Sequence, residues 1–162
     1  MPKSLKVDYA KCTGCRACEM ACSLVHAGEC THRKSNIHNV NINDEHFVSV
    51  MCFQCEDPPC AKTCPMNAIE KDAQTGLVKV DEEKCVGCKL CVLACPFGNM
   101  GFSETTHKAA KCDLCGGDPQ CVAYCSPEAI SFLDLIEDEL KKKKELSQKI
   151  LEAYSPGKGK ND

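Results

Sequence analysis

No tryptophan occurs in this chain, aromatic residues make up only 5% of it, and no run of 18 or more apolar residues interrupts it. The first two shortages argue against a fold held by packing alone, because small domains are already short of core and large rings supply much of the buried area. The third excludes a membrane-spanning helix. A strong charge of either sign is also missing. The formal net charge is −3, without the basic excess that binding to phosphate backbones demands. No apolar signal segment opens the chain (MPKSLKVDYAKC), and nothing in it forms a nucleophile–base pair, a phosphate loop or a pterin pocket.

What is abundant is cysteine, with 17 among 162 residues. The 43% hydrophobic content counts those cysteines, so it overstates the core. A small, cysteine-dense chain is stapled either by disulfides or by metal. The count is odd, and two cysteines separated by two residues bridge poorly. Metal in a reducing, anaerobic cytoplasm is the reading that follows.

The organising stretch is Cys85-Val-Gly-Cys88-Lys-Leu-Cys91-Val-Leu-Ala-Cys95-Pro96. Zinc sites are usually assembled from separated pairs of ligands, whereas here a close triplet is followed by one more cysteine and a proline. In the bacterial ferredoxin pattern the triplet holds one [4Fe–4S] cube and the fourth cysteine ligates another. Such a run needs a partner, and the chain supplies three more. They are Cys12-x2-Cys15-x2-Cys18-x3-Cys22, Cys52-x2-Cys55-x4-Cys60-x3-Cys64-Pro65, and Cys112-x2-Cys115-x5-Cys121-x3-Cys125. Sixteen of the 17 cysteines fall within this internal repeat. Gly14, inside the first run, can take positive φ and turn backbone N–H groups toward sulfur. Ser23 replaces the proline after Cys22, and Pro127 follows Cys125 at one remove, so the backbone of these two runs is expected to be less constrained.

Between the runs the pattern is of short strands and turns. Residues 5–9 alternate and form a strand, as do 129–133, and the two are natural partners at opposite ends of the chain. Glu19–Leu24 reads as a short helix. In the insert at 25–50, residues 37–42 and 47–50 form a hairpin about Asn43-Asp44-Glu45. That insert also holds Cys30, His26, His32, His38 and His46; a zinc site of His26, Cys30 and His32 stands beside the plainer reading of a polar hairpin with a spare thiol. Residues 68–71 and 77–80 make a second hairpin across Gly76, and 97–107 is a glycine-bearing loop. Residues 134–155 turn to helix formers, either folding back on the body or docking a partner, and 156–162 form a disordered tail.

With the four runs in this order, and with Cys52-Phe-Gln-Cys55-Glu-Asp-Pro-Pro-Cys60 and Cys91-Val-Leu-Ala-Cys95-Pro-Phe-Gly98 as they stand, the chain resembles the four-cluster ferredoxin-type electron-transfer subunits over about residues 5–133. These accompany molybdenum or tungsten pterin oxidoreductases, such as those of dimethyl sulfoxide, formate or aldehydes, and some hydrogenases and carbon monoxide dehydrogenases. The resemblance implies an α+β, tandem bacterial-ferredoxin-like dicluster fold, with short hairpins and helices around the clusters and a C-terminal helix beyond. It implies a body at 1–133, its outer half from 1–50 and 97–133 and its inner half from 51–96, carrying four [4Fe–4S] clusters. Carried over residue by residue, cluster 1 takes Cys12, Cys15, Cys18 and Cys125. Cluster 2 takes Cys112, Cys115, Cys121 and Cys22, cluster 3 takes Cys52, Cys55, Cys60 and Cys95, and cluster 4 takes Cys85, Cys88, Cys91 and Cys64.

Sixteen thiolates and four oxidised cores would bring the net charge to about −11, which again disfavours nucleic acid. Clusters ligated wholly by cysteine leave no open coordination position, so the expected role is non-catalytic electron transfer beside a large catalytic subunit, most plainly one containing tungsto- or molybdopterin. A further electron-carrier or flavin subunit is a possible second partner. The alternatives are a free diffusible polyferredoxin serving several enzymes, a subunit of a hydrogenase or carbon monoxide dehydrogenase, and a zinc-bearing interaction protein without redox role. The expected location is the cytoplasm, with no direct membrane span.

Overall fold

Short β-branched and alternating segments, too brief to make a large sheet, pair off two at a time. The computed structural model describes residues 3–43, 46–134 and 137–154. β1 (Lys3–Val7) pairs antiparallel with β8 (Ile130–Asp134), placing Leu5 opposite Phe132 and Val7 opposite Ile130. The two ends of the body are therefore joined as expected, with β1 displaced toward the N-terminus from 5–9. β2 (Ile37–Ile42) and β3 (His46–Met51) form a hairpin. Its expected turn falls partly on Asp44 and Glu45, outside the described residues. β4 (Ile69–Lys71) and β5 (Val78–Val80) form the hairpin anticipated around Gly76.

A fourth hairpin, β6 (Gly101–Ser103) with β7 (Lys108–Ala110), replaces the expected loop. Its strands are three residues long and hold no β-branched residue, so no periodic signal marks them. The helices are α1 (Ala17–Ala27), α2 (Pro59–Lys62), α3 (Leu90–Ala94), α4 (Gln120–Ala123) and α5 (Glu137–Tyr154). α2 begins on Pro59, where a missing N–H costs nothing, so the Pro58-Pro59 pair starts a helical turn under Cys60 instead of only looping outward. α5 lies against the body through a Lys144–Glu56 ion pair of 2.7 Å and a Lys143–Ser4 hydrogen bond. The tail at 156–162 lies outside the described residues. No helix among the described residues is long and apolar enough to cross a membrane.

Two small cores result. In one, Leu5, Ile37, Met51, Leu77, Leu114 and Ile130 surround Cys18, Cys22, Cys112 and Cys121. In the other, Ala68, Ile69, Val78, Met100 and Ala109 surround Cys85 and Cys91. Met100 and Ala109, counted by sequence with the outer half, pack in the inner core. Cysteine takes a large share of both cores in place of the missing aromatics.

Candidate metal centres

The same backbone device recurs in all four runs. The residue just before the second cysteine takes the left-handed conformation each time: Gly14 at φ 70°, Gln54 at 50°, Gly87 at 70° and Leu114 at 58°. That conformation turns successive N–H groups into a concavity suited to anionic sulfur. Only two of the four positions carry glycine. Leu114 accepts a strain of about 1–3 kcal/mol and is held there by its own burial. Arg16, Lys89 and Gly116, just after the second cysteine, are also left-handed, and Arg16 and Lys89 then open α1 and α3. Asn67, Gly98 and Glu128, three residues beyond the last cysteine of their runs, take it again.

The first run departs at this point. Instead of turning after Cys22, the chain continues in α1 to Ala27. Ser23 is fully buried; its hydroxyl donates to the Met20 carbonyl at 3.1 Å and accepts from Thr31 N–H at 3.0 Å. The expected looser backbone is not found here, because a helix has taken the place of the proline turn.

These local shapes bring cysteines from distant runs together. A pocket of about 340 Å³ is lined by Cys85, Cys88 and Cys91 from one run and Cys64 from another. A second, of about 290 Å³, is lined by Cys12, Cys15, Cys18 and Cys125. Cys121 is buried in one core with Cys112 and Cys22. Its thiol is pushed up by burial first and then by Cys112, Cys115 and Cys22 beside it. Burial raises the Cys55 thiol too, followed by its neighbours Cys52 and Cys95, while Cys60 is pushed up to about 11 by burial and then by Cys52. Burial likewise carries Cys18 up to about 11 and Cys112 to about 12. Cysteines of different runs thus line common pockets and share one core, whereas Cys30 is exposed.

Several donors are already aimed at sulfur. The N–H groups of Asn36, Ala68 and Ala129 reach Cys22 at 3.3 Å, Cys64 at 3.3 Å and Cys125 at 3.2 Å. Asn39 Nδ2 reaches Cys12 Sγ at 3.4 Å. His26 Nε2 lies 3.8 Å from Cys115 Sγ and 3.3 Å from Asp113 Oδ1. Hydrogen bonds to Cys115 and then Cys22 hold its imidazole up to about 10. Burial works to raise the Cys22 thiol, but its bonds to His26, Asn36 N–H and Ser35 together bring it below the usual range.

The donor chemistry distinguishes among metals. A single tetrahedral zinc with bonds of about 2.3 Å draws its sulfurs to about 3.8 Å from one another. Among the described residues, the only group of three or more such ligands within 4.8 Å is His26, Asp113 and Cys115. The thiol sets are thus wider than one zinc ion allows, and sulfur donors at that spacing fit a larger iron–sulfur core. The insert's zinc alternative does not assemble, since His26 groups with Asp113 and Cys115 and not with Cys30 and His32.

Residues 43–135 match the model of the 4Fe-4S dicluster domain, and residues 9–25 that of a 4Fe-4S binding domain. The chain is 44% identical over 126 residues to the polyferredoxin-like subunit of an aliphatic sulfonate oxidoreductase from Pyrococcus furiosus, covering 78% of this chain and 73% of that one. It is 35% identical over 157 residues to the B subunit of the anaerobic dimethyl sulfoxide reductase of Escherichia coli, covering 85% and 75%. It is also 37% identical over 162 residues to electron transport protein HydN of Escherichia coli, covering 83% and 89%.

Proposed function

The chain belongs to the 4Fe-4S dicluster-domain family, and from that premise we propose that it is a non-catalytic electron-transfer subunit holding four [4Fe–4S] clusters beside a catalytic chain. Its function is electron transfer through iron–sulfur centres. The single observation that carries the finer reading is the lining of the two pockets, each by the triplet of one run and the last cysteine of another. On this reading clusters 1 to 4 take the sets named above, from Cys12, Cys15, Cys18 and Cys125 through to Cys85, Cys88, Cys91 and Cys64.

When bound, such clusters supply one-electron transfer without an open coordination position. The polypeptide's part is to hold, insulate and space them. Buried thiols exclude water, the left-handed turns aim N–H groups at sulfur, and the Phe53–Phe97 edge-on pair at 4.9 Å ties the Cys52 segment to the Cys95 segment. Neighbouring sets are adjacent: Cys18, Cys22, Cys112 and Cys121 share one core with Cys52 packed against it, and Cys60 and Cys95 pack with Cys64, Cys85 and Cys91 in the other. This supports a linear order of 1–2–3–4. Cys15 and Cys88, in the two terminal sets, are exposed, as the ends of a wire require.

The division proposed is a ferredoxin body at 1–133 followed by the helix at 134–155. One end serves a large catalytic subunit, and the kinship to a dimethyl sulfoxide reductase subunit supports a molybdo- or tungstopterin enzyme. The other end serves a further electron-carrier or flavin subunit. Anaerobic purification from source cells, with iron and sulfide analysis and mass spectrometry of whatever accompanies the chain, tests this. About sixteen irons per copy together with a pterin-containing chain are expected. The same iron without a partner would leave a diffusible polyferredoxin, and zinc in place of iron would overturn the reading.

A further inference from the structure

Lys111 is only 6% exposed. A buried ammonium is costly unless its charge is answered by an opposite one. Here the direct partners are all neutral. Its Nζ donates to the Val78 carbonyl, to the Cys112 carbonyl at 2.7 Å and to Gln54 Oε1 at 3.4 Å. Among the described residues no carboxylate pairs with it.

Gln54 is fixed by the same atoms. Its Nε2 donates to the Cys112 carbonyl at 2.7 Å, and its Oε1 accepts from Val78 N–H at 2.9 Å. An ammonium and an amide therefore join three segments: the start of the Cys112 run, the interior of Cys52-x2-Cys55, and β5. The first two belong to different cysteine sets, and they meet where the two cores touch. Lys111 thus adjoins Cys112 in the chain and, through Gln54, the segment between Cys52 and Cys55, and Cys52 packs against the core that holds Cys112.

We propose that Lys111 is a positioning residue for electron transfer. It is a fixed positive charge, clamped by Gln54 between the Cys22–Cys112–Cys115–Cys121 and Cys52–Cys55–Cys60–Cys95 sites, and it raises the reduction potentials of these two middle clusters above what they would otherwise be. The inference rests on the four-cluster reading. Its physical basis is that an added electron makes a cluster more negative, so a nearby cation stabilises the reduced form, and burial keeps that attraction from being screened. It also accounts for the missing carboxylate, since the thiolate-bound centres on either side are the counter-charge. The middle of the wire then becomes the favoured resting place for an electron entering from either end.

The test uses the full chain with its clusters assembled anaerobically, iron analysis, and redox titration followed by electron paramagnetic resonance. Lys111→Met and Lys111→Gln are expected to keep wild-type iron while two of the four potentials move downward and two hold. Lys111→Arg restores the wild-type pattern. Lys111→Gln keeps a donor and removes only the charge, so it separates a charge effect from loss of the clamp. Gln54→Leu, which keeps the charge, should shift the same pair by less. Iron-replete Lys111→Gln with unmoved potentials overturns the proposal, as does loss of iron in both neutral variants, which would make Lys111 a structural pin. A wild-type chain without iron would instead overturn the cluster reading itself.

Discussion

The left-handed residue before each second cysteine shows how single positions determine whether a site forms. Gly87 is the most demanding of them. At φ +70° a Cβ there would come within 2.4 Å of the His107 carbonyl oxygen, which belongs to the backbone and cannot rotate away. Gly116 has a similar φ of +67°, but a Cβ there would meet open space. We expect Gly87→Ala to cost about 3 kcal/mol or more, against about 1 kcal/mol for Gly116→Ala. Thermal unfolding of the iron-loaded variants measures the difference, and equal losses would show that conformation alone, without the clash, sets the cost. Glycine marks positions 14 and 87 as turn positions in the sequence itself. Gln54 and Leu114 carry no such mark, because nothing in their side chains favours positive φ. Gln54 is held there by bonds to Cys112 and Val78, and Leu114 by packing in the core, both contacts with residues far away in the chain.

Elements were readable wherever alternation or turn chemistry was local. The pairing of β1 with β8 and the two hairpins around residue 43 and Gly76 follow from periodicity, whereas β6 and β7 carry no periodic signal, and their Ala109 joins the core that holds Cys91. Helix α1 was expected at about half its length. The missing proline after Cys22 was the available clue, and its meaning is helical continuity. Returning that proline should therefore harm this run, although the Cys64 and Cys95 runs carry one at the equivalent place. Ser23→Pro removes an intrahelical donor and clashes with the preceding turn, at a cost of about 3 kcal/mol or more. Ser23→Ala keeps the helix and loses the hydroxyl's bonds to the Met20 carbonyl and from Thr31 N–H, at about 1–2 kcal/mol. Circular dichroism and iron content of both variants, measured against the wild type, check the order. A Ser23→Pro chain as stable as the wild type would mean that α1 does not extend through Cys22.

At the scale of the whole molecule, the cysteines substitute for a core that the composition could not supply, provided that each cluster joins distant segments. Crosslinking Cys18 to Cys125 closes a loop of roughly 100 residues, a constraint comparable to about 4–5 kcal/mol of unfolded-chain entropy for a single bridge. Ligation within each run would close loops of about ten residues and stabilise far less. The two schemes differ in which cysteines share a cluster, and paired variants separate them. If Cys125 completes the site of Cys12, Cys15 and Cys18, as the lining of their common pocket supports, then Cys125→Ala and Cys15→Ala damage one cluster. Their combination should cost no more than about four irons, the same as either alone. Cys125→Ala with Cys115→Ala strikes two clusters and should cost about eight. Ligation within runs predicts the reverse: Cys125 with Cys115 would be the redundant pair, and Cys125 with Cys15 the additive one. Iron analysis of these two double variants, with the three single variants as reference, therefore decides between interleaved and local ligation without any need to resolve the clusters spectroscopically.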